Sequence, residues 1–307
     1  MSFEAEAGLF VQQLLNGLTI GMVYALIALG YTMVYGVLQL INFAHGEIFM
    51  VGAYLALSAI WLFASVFVGA PFWIVLPAVV VLSVLGSAAL GAGVERVAYR
   101  PLRGSPKLTA LITSIGVSFF LQNAVMLIYG FREQSVPEVV PSVHFEWGLV
   151  SFSLMQAVIF ATSIGLMFFL TWFVKSTKLG KAMRACAENP DAARLMGISV
   201  NAVVRATFVL GSALAAVAGS LFALYYGSIN FHDGYLAGLK AFTAAVLGGI
   251  GSVPGAMLGG ILLGVLEGLG AGYISSEWKD VFAFVLLGAV LIFRPSGILG
   301  ENLPEKV

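Results

Sequence analysis

Uncharged apolar runs long enough to cross a bilayer recur from one end of this chain to the other, and they leave few folds open. A run of 18 or more such residues reads as a transmembrane helix. Between Ala7 and Val94 the only Asp, Glu, Lys or Arg is Glu47. Charged residues make up 10% of the 307, against about 25% in an ordinary soluble domain. The chain therefore reads as all-α, a polytopic transmembrane helical bundle forming one domain over residues 1–307. About eight spans are predicted, near 10–37, 48–69, 72–95, 108–130, 151–174, 203–227, 254–271 and 279–294. A shorter apolar piece at 238–249 would rise only about 18 Å as a helix, too little for a core of about 30 Å. It predicts a re-entrant or broken helix near 238–255, interrupted at "GGIGSVPG" (248–255).

The formal net charge is zero, but ten of the fifteen Lys and Arg residues sit in two stretches, Arg96–Lys107 and Lys175–Arg205. Basic loops mark the cytoplasmic side. Counting spans from them puts the N-terminus, 130–148 and 228–237 outside, and 175–202 inside. Arg294 and Lys306 favour an inside C-terminus. The 130–148 linker, with three Glu and one Arg, reads as an external loop with structure of its own. One cysteine, Cys186, excludes an intrachain disulfide and a thiolate zinc cluster. The acidic start, "MSFEAEAG", does not look like a cleaved signal peptide.

Within 248–272 glycines recur every four residues, at Gly260, Gly264, Gly268 and Gly272, with Gly255 and Gly259 before them. Such spacing lets helix backbones approach closely in lipid. The contact is either inside one subunit or between subunits.

The segment "INFAHGE" (41–47) places Asn42, His45 and Glu47 within six residues in a region otherwise free of charge. A carboxylate at mid-bilayer costs about 2.5–3.5 kcal/mol on insertion scales, and such residues usually face a bundle interior or a water-filled path. One reading leaves Glu47 at the inner membrane surface, where α-helical counting from Gln12 exhausts the hydrocarbon near Gly36. The other folds 37–47 back into the protein as irregular backbone, which requires burial or a cavity. "SINFHDG" (228–234) echoes the same segment, a hint of the repeats found in transporters.

The basic stretch 175–205 reads as two short cytosolic helices. Asn189 suits an N-cap, Pro190 the first helical position, Asp191 the positive end of the dipole and Gly197 a left-handed C-terminal cap. Residues 190–196 should form a stiff two-turn helix with an Ala-Leu-Met side and a charged side. It either rests on headgroups or enters a groove on a soluble partner. No HExxH, GxSxG or GxxxxGK[ST] occurs, and the three histidines lie in different segments. Catalytic, metal and cofactor sites are therefore not expected, and nucleotide phosphates would have to be held by another chain.

With these residues in view, a family resemblance emerges. "DAARLMG" (191–197) is similar to the EAAxxxG motif of ABC importer permeases, with Asp191 for Glu. "NGLTIGMVYALIALGYTMVYGVLQLINFAHGEIFMVGAY" (16–54), "RACAENPDAARLMGI" (184–198) and "AVLGGIGSVPGAMLGGILLGVLE" (245–267) resemble branched-chain amino acid permeases of the LivH type. The Ile-x-Leu-Pro continuation of the wider importer motif is missing from "RATFVLGS" (205–212).

The resemblance implies a multi-pass permease of the bacterial inner membrane, in contact with lipid and not nucleic acid. It would pair with a second permease, homologous or identical, two ATP-binding cassette subunits and a periplasmic amino-acid-binding protein. ATP would be bound by the partner subunits. ATPase coupling would fall to a segment at about 176–202, through Arg184, Glu188, Asn189, Pro190, Asp191, Ala192, Ala193, Arg194 and Gly197. Candidate pathway residues are Asn42, His45, Glu47, Gln122, Asn123, Gly248, Gly249, Gly251 and Glu267. Close relatives move urea or short amides. A proton-coupled secondary carrier using Glu47, His45 and Glu267 is the alternative class, and a membrane enzyme ranks below both.

Overall fold

The structure, a computed structural model, describes residues 3–66, 70–294 and 296–300. Among the described residues, seven helices are long and apolar enough to cross a membrane. They are α1 (Phe3–Leu38), α2 (Ala44–Val66), α3 (Phe72–Val94), α4 (Lys107–Tyr129), α5 (Leu154–Ser176), α8 (Val200–Tyr226) and α10 (Val253–Tyr273). Between them lie α6 (Lys178–Glu188), α7 (Pro190–Leu195) and α9 (Asp233–Gly248), and α11 (Lys279–Phe293) ends the bundle. The expected eighth span, 279–294, is α11. Its 15 residues give only about 22 Å of rise. A helix that short reaches across only part of a bilayer, and it packs on α9 and α10.

Local signals explain several helix starts. Ser153 and Gln156 form a reciprocal capping box on α5. Thr177 accepts from Gly180 N–H to start α6, and Ser252 from Gly255 N–H to start α10. A π-helical turn, Glu95–Tyr99, and a 3-10 turn, Arg100–Leu102, prolong α3.

Helices α1 and α8 are the most enclosed spans, with 89% and 72% of their apolar windows buried, so the others arrange around them. The glycine ladder of α10 packs inside the subunit, against α1. A Cβ on Gly260 would lie 2.5 Å from Ala25 Cα, and one on Gly268 2.6 Å from Gly17 Cα. Of the two arrangements the spacing allowed, intrasubunit packing is the one formed.

Two antiparallel strand pairs close one end of the bundle. β1 (Gln134–Ser135) pairs with β4 (Ser228–Ile229), and β2 (His144–Trp147) with β3 (Val150–Ser153). The Gln12 amide exchanges hydrogen bonds with the Ser151 backbone, which brings the first turns of α1 to this end. At the opposite, basic end Arg103 bonds to Glu95 and to Asn201. The 130–148 and 228–237 segments thus share one side, and 96–107 and 175–202 the other, as charge counting predicts. Lys306, used above for the C-terminal side, lies outside the described residues.

The break near 248–255 is present. α9 stops at Gly248, and residues 249–252 turn beside Gly36, at the basic end of α1. α10 then returns toward Gln13. The carbonyls of Leu247 and Gly248 accept from the Ile298 and Leu299 N–H groups, which brings the chain beyond α11 back to the basic end.

Candidate functional site

The chain doubles back after α1. Gln39 ends the helix in left-handed backbone (φ 51°), and residues 39–43 are irregular before α2 starts at Ala44. A Cβ on Gly30 would meet the His45 ring. α1 therefore runs eight residues, or about 12 Å, past this level before the chain returns. Glu47 is 1% exposed and its Oε1 accepts from Ser118 Oγ at 3.0 Å. Ser118 is the twelfth of the 23 residues of α4, so Glu47 sits about 16 Å from either end of that helix. The inner-surface placement fails because helical counting assumed α1 ran on, whereas the chain reverses.

The Asn-Phe echo is structural. Asn42 Oδ1 accepts from Ala44 N–H and Asn230 Oδ1 from His232 N–H, both at 3.1 Å. The same asparagines' carbonyls accept from His45 N–H and Asp233 N–H at 3.1 and 3.0 Å. Two matching Asx turns thus launch α2 and α9 inside the bundle. The two helix starts touch where neither carries a side chain: a Cβ on Gly46 would lie 2.6 Å from Gly238 Cα. Gly234 packs equally close to Glu47 Oε2. Discontinuous helices starting within the membrane are a device of transporters.

Around this crossing the polar groups are sealed from water and only partly paired. Asn42 Oδ1 also accepts from Tyr99 OH at 2.7 Å, while Asn42 Nδ2 and Glu47 Oε2 have no hydrogen-bond partner among the described residues. Tyr31 stacks edge-on against His45 at 4.8 Å. Its hydroxyl faces Gly46 and Gly238. A cavity of about 230 Å³ adjoins the group, lined by Tyr31, Phe43, Ser118, Phe119, Gly238 and Leu239 among others.

The remaining pathway candidates scatter. Gln122 Nε2 lies 3.0 Å from His232 Nδ1, one turn beyond Ser118 on the same face of α4. Asn123 is exposed and donates to the Phe119 carbonyl of its own helix. Gly248, Gly249 and Gly251 shape the break at the basic end, where a Cβ on Gly249 would meet Gly300. Glu267 belongs to a separate cluster: Lys240 Nζ lies 2.7 Å from its Oε1 and 2.6 Å from Asp280 Oδ1, and Tyr24 OH donates to its Oε2 at 3.0 Å. Sequence reasoning missed Lys240, Asp280 and Tyr24. The signal for Lys240 was available, since it is the sole Lys or Arg between Arg205 and Lys279.

At the basic end α7 forms as its residues dictate. Asn189 Oδ1 accepts from the Asp191 and Ala192 N–H groups, both at 3.0 Å. Gly197 is left-handed (φ 79°), and the Ile198 N–H returns to the Ala193 carbonyl. Arg194 pairs with Asp191 at 2.7 Å on the open side. Ala193 is buried, whereas Leu195 and Met196 are 89% and 82% exposed. Arg184 donates to the Lys175 carbonyl, and Glu188 closes α6 just before the cap. The helix ends at Leu195 rather than Met196 because Met196 already leaves helical backbone (ψ 10°).

Membrane-crossing helices around a sealed polar centre, with a rigid capped helix projecting from the basic end, define a polytopic membrane protein of the transporter class. Residues 13–291 match the family described as the branched-chain amino acid transport system permease component, and the chain belongs to that family. It is 52% identical to the high-affinity branched-chain amino acid transport system permease protein BraD of Pseudomonas aeruginosa, covering 97% of this chain and 98% of that one. It is 48% identical to the corresponding LivH protein of Escherichia coli K12, with the same coverage. A probable LivH protein of Methanocaldococcus jannaschii is 29% identical over 90% of this chain and 88% of its own length.

Proposed function

We propose that this chain is the inner-membrane permease subunit of an ATP-driven importer for branched-chain or related amino acids. Two full-length relatives near half identity bear that substrate class in their names. In this reading a periplasmic binding protein delivers the amino acid to the 130–148 and 228–237 face. A second permease completes the path, and two ATPase subunits bind ATP and drive it.

The observation that carries the coupling role is α7. An exposed six-residue helix is too short to persist unaided, yet this one is capped at both ends and anchored by buried Ala193. It presents Leu195 and Met196 nearly bare. A small rigid apolar knob beside a charged pair suits a helix-in-groove contact with a soluble subunit. Movement of α7 would reach the membrane region through α6 and α8, against which it packs.

Reconstitution with the ATPases and binding protein tests the proposal. Leucine uptake should stop on ATP depletion and survive a protonophore. Uptake that collapses with the proton gradient at constant ATP would favour the secondary-carrier alternative. Co-purification from native membranes should recover the ATPase subunits, and Leu195→Asp with Met196→Asp should release them.

A further inference from the structure

The 230 Å³ cavity beside Glu47 has a division of character that matches one chemical class of ligand. Its walls are apolar, from Phe43, Ile115, Phe119 and Leu239. Its inner end is formed by the Tyr31 side chain and the Ser118 hydroxyl, and directly behind Ser118 stands a buried carboxylate with one oxygen unpartnered among the described residues. One helical turn outward, the Gln122 amide and the His232 ring offer donors. An unpaired buried carboxylate oxygen costs stability, so packing alone gives no reason to keep it.

We propose that this cavity is a transient binding site for a zwitterionic aliphatic amino acid on its way through the membrane. The ammonium group has three donors. Ser118 Oγ, on the lining, accepts one of them, and the Glu47 carboxylate directly behind Ser118 supplies the opposing charge. The aliphatic side chain lies against Phe43, Ile115 and Leu239, and the carboxylate faces Gln122 and His232. Ser118 and Gln122 are four residues apart on one helix face, about 6 Å, which leaves room for a hydrogen bond at each of an amino acid's two charged ends. Phe119 and Tyr235 are more than half exposed at the mouth, so the site is a shallow one that a second permease would close. Shallow contact and one buried charge fit passage better than storage. The inference rests on the importer reading and adds to it the residues that meet the substrate.

The test uses the intact complex of permeases, ATPases and binding protein in proteoliposomes. It measures ratios of uptake between amino acids, which are insensitive to how much variant assembles. Leu239→Ala enlarges the cavity and should raise the phenylalanine-to-leucine ratio about tenfold; Leu239→Phe should lower the leucine-to-alanine ratio about tenfold, the usual discrimination of an apolar pocket. Unchanged ratios in both variants overturn the site. Should neither variant assemble, a Cys186→Ser, Ile115→Cys protein decides. A cationic thiol reagent should block its uptake, and leucine at about ten times its Km should slow that block about tenfold. A block indifferent to leucine overturns the site. Absence of ATP-dependent uptake by the unaltered complex would instead sink the importer reading itself.

Discussion

Tyr99 OH donates a 2.7 Å hydrogen bond to Asn42 Oδ1, tying the π-helical end of α3 to the turn that launches α2. Tyr99 is buried, and the same short turn contains Glu95, paired with Arg103 and with Arg205 at 3.8 Å. Arg205 lies in the first turns of α8, beside α7. A continuous set of contacts thus runs from the exposed basic-end helix to the Asx turn at Asn42, three residues before His45.

If that set transmits movement, Tyr99→Phe should weaken it at modest cost. Losing one such bond is worth about 1 kcal/mol, too little to unfold the bundle. The expected outcome is leucine uptake reduced more than substrate-stimulated ATP hydrolysis. An unchanged ratio of the two would show that the bond is only structural.

The Lys240 cluster predicts a different kind of loss. Lys240 and Glu267 are about 5% exposed, so neither charge is relieved by water. Lys240→Met should destabilise the protein by about 3–5 kcal/mol, because Glu267 is left buried and unpaired. Adding Glu267→Gln should restore a large part of that loss, since a matched pair removed together costs less than one partner alone. Thermal unfolding in detergent of the two single variants and the double variant measures the coupling. Additive losses would contradict it.

The α1–α10 seam sets a steric prediction. At Gly268 a Cβ would lie 2.6 Å from Gly17 Cα, with the Gln13 carbonyl at 2.8 Å. Gly165, on α5, has open space instead. Gly268→Val should therefore separate the helices and abolish stable accumulation in membranes, whereas Gly165→Val should accumulate normally. Immunoblotting of membrane fractions checks both, and equal levels would mean the seam can yield.

Gly197 predicts a defect in coupling without a defect in insertion. Its left-handed backbone costs other residues about 1–2 kcal/mol, and no atom of the described residues lies within 4 Å of an added Cβ. Gly197→Trp should thus reach the membrane in normal amounts and lose substrate-stimulated ATPase activity. Asn189→Ala, which costs about 1 kcal/mol of capping, should give a partial form of the same defect. Normal stimulation in both would remove α7 from the coupling role.

How far the sequence could be read depended on the range of the forces involved. Span lengths, the caps of α7, the break after Gly248 and the sidedness of the loops follow from hydropathy, local hydrogen bonding and charge along the chain. All of them are near-neighbour properties of the residues in order. The glycine ladder announced a close contact, but the spacing held no record of which helix would fill it.

What only the tertiary structure decided are the meetings of residues far apart. Glu47 lies mid-bundle because the chain reverses at Gln39 and α4 supplies Ser118. Lys240 is tolerated because α1, α10 and α11 bring Tyr24, Glu267 and Asp280 to it. The cavity exists because the starts of α2 and α9 cross at glycines nearly two hundred residues apart. A lone charge in an apolar run states in the sequence that it needs a partner. Which partner it finds is fixed by how separate helices pack, and no local pattern encodes that.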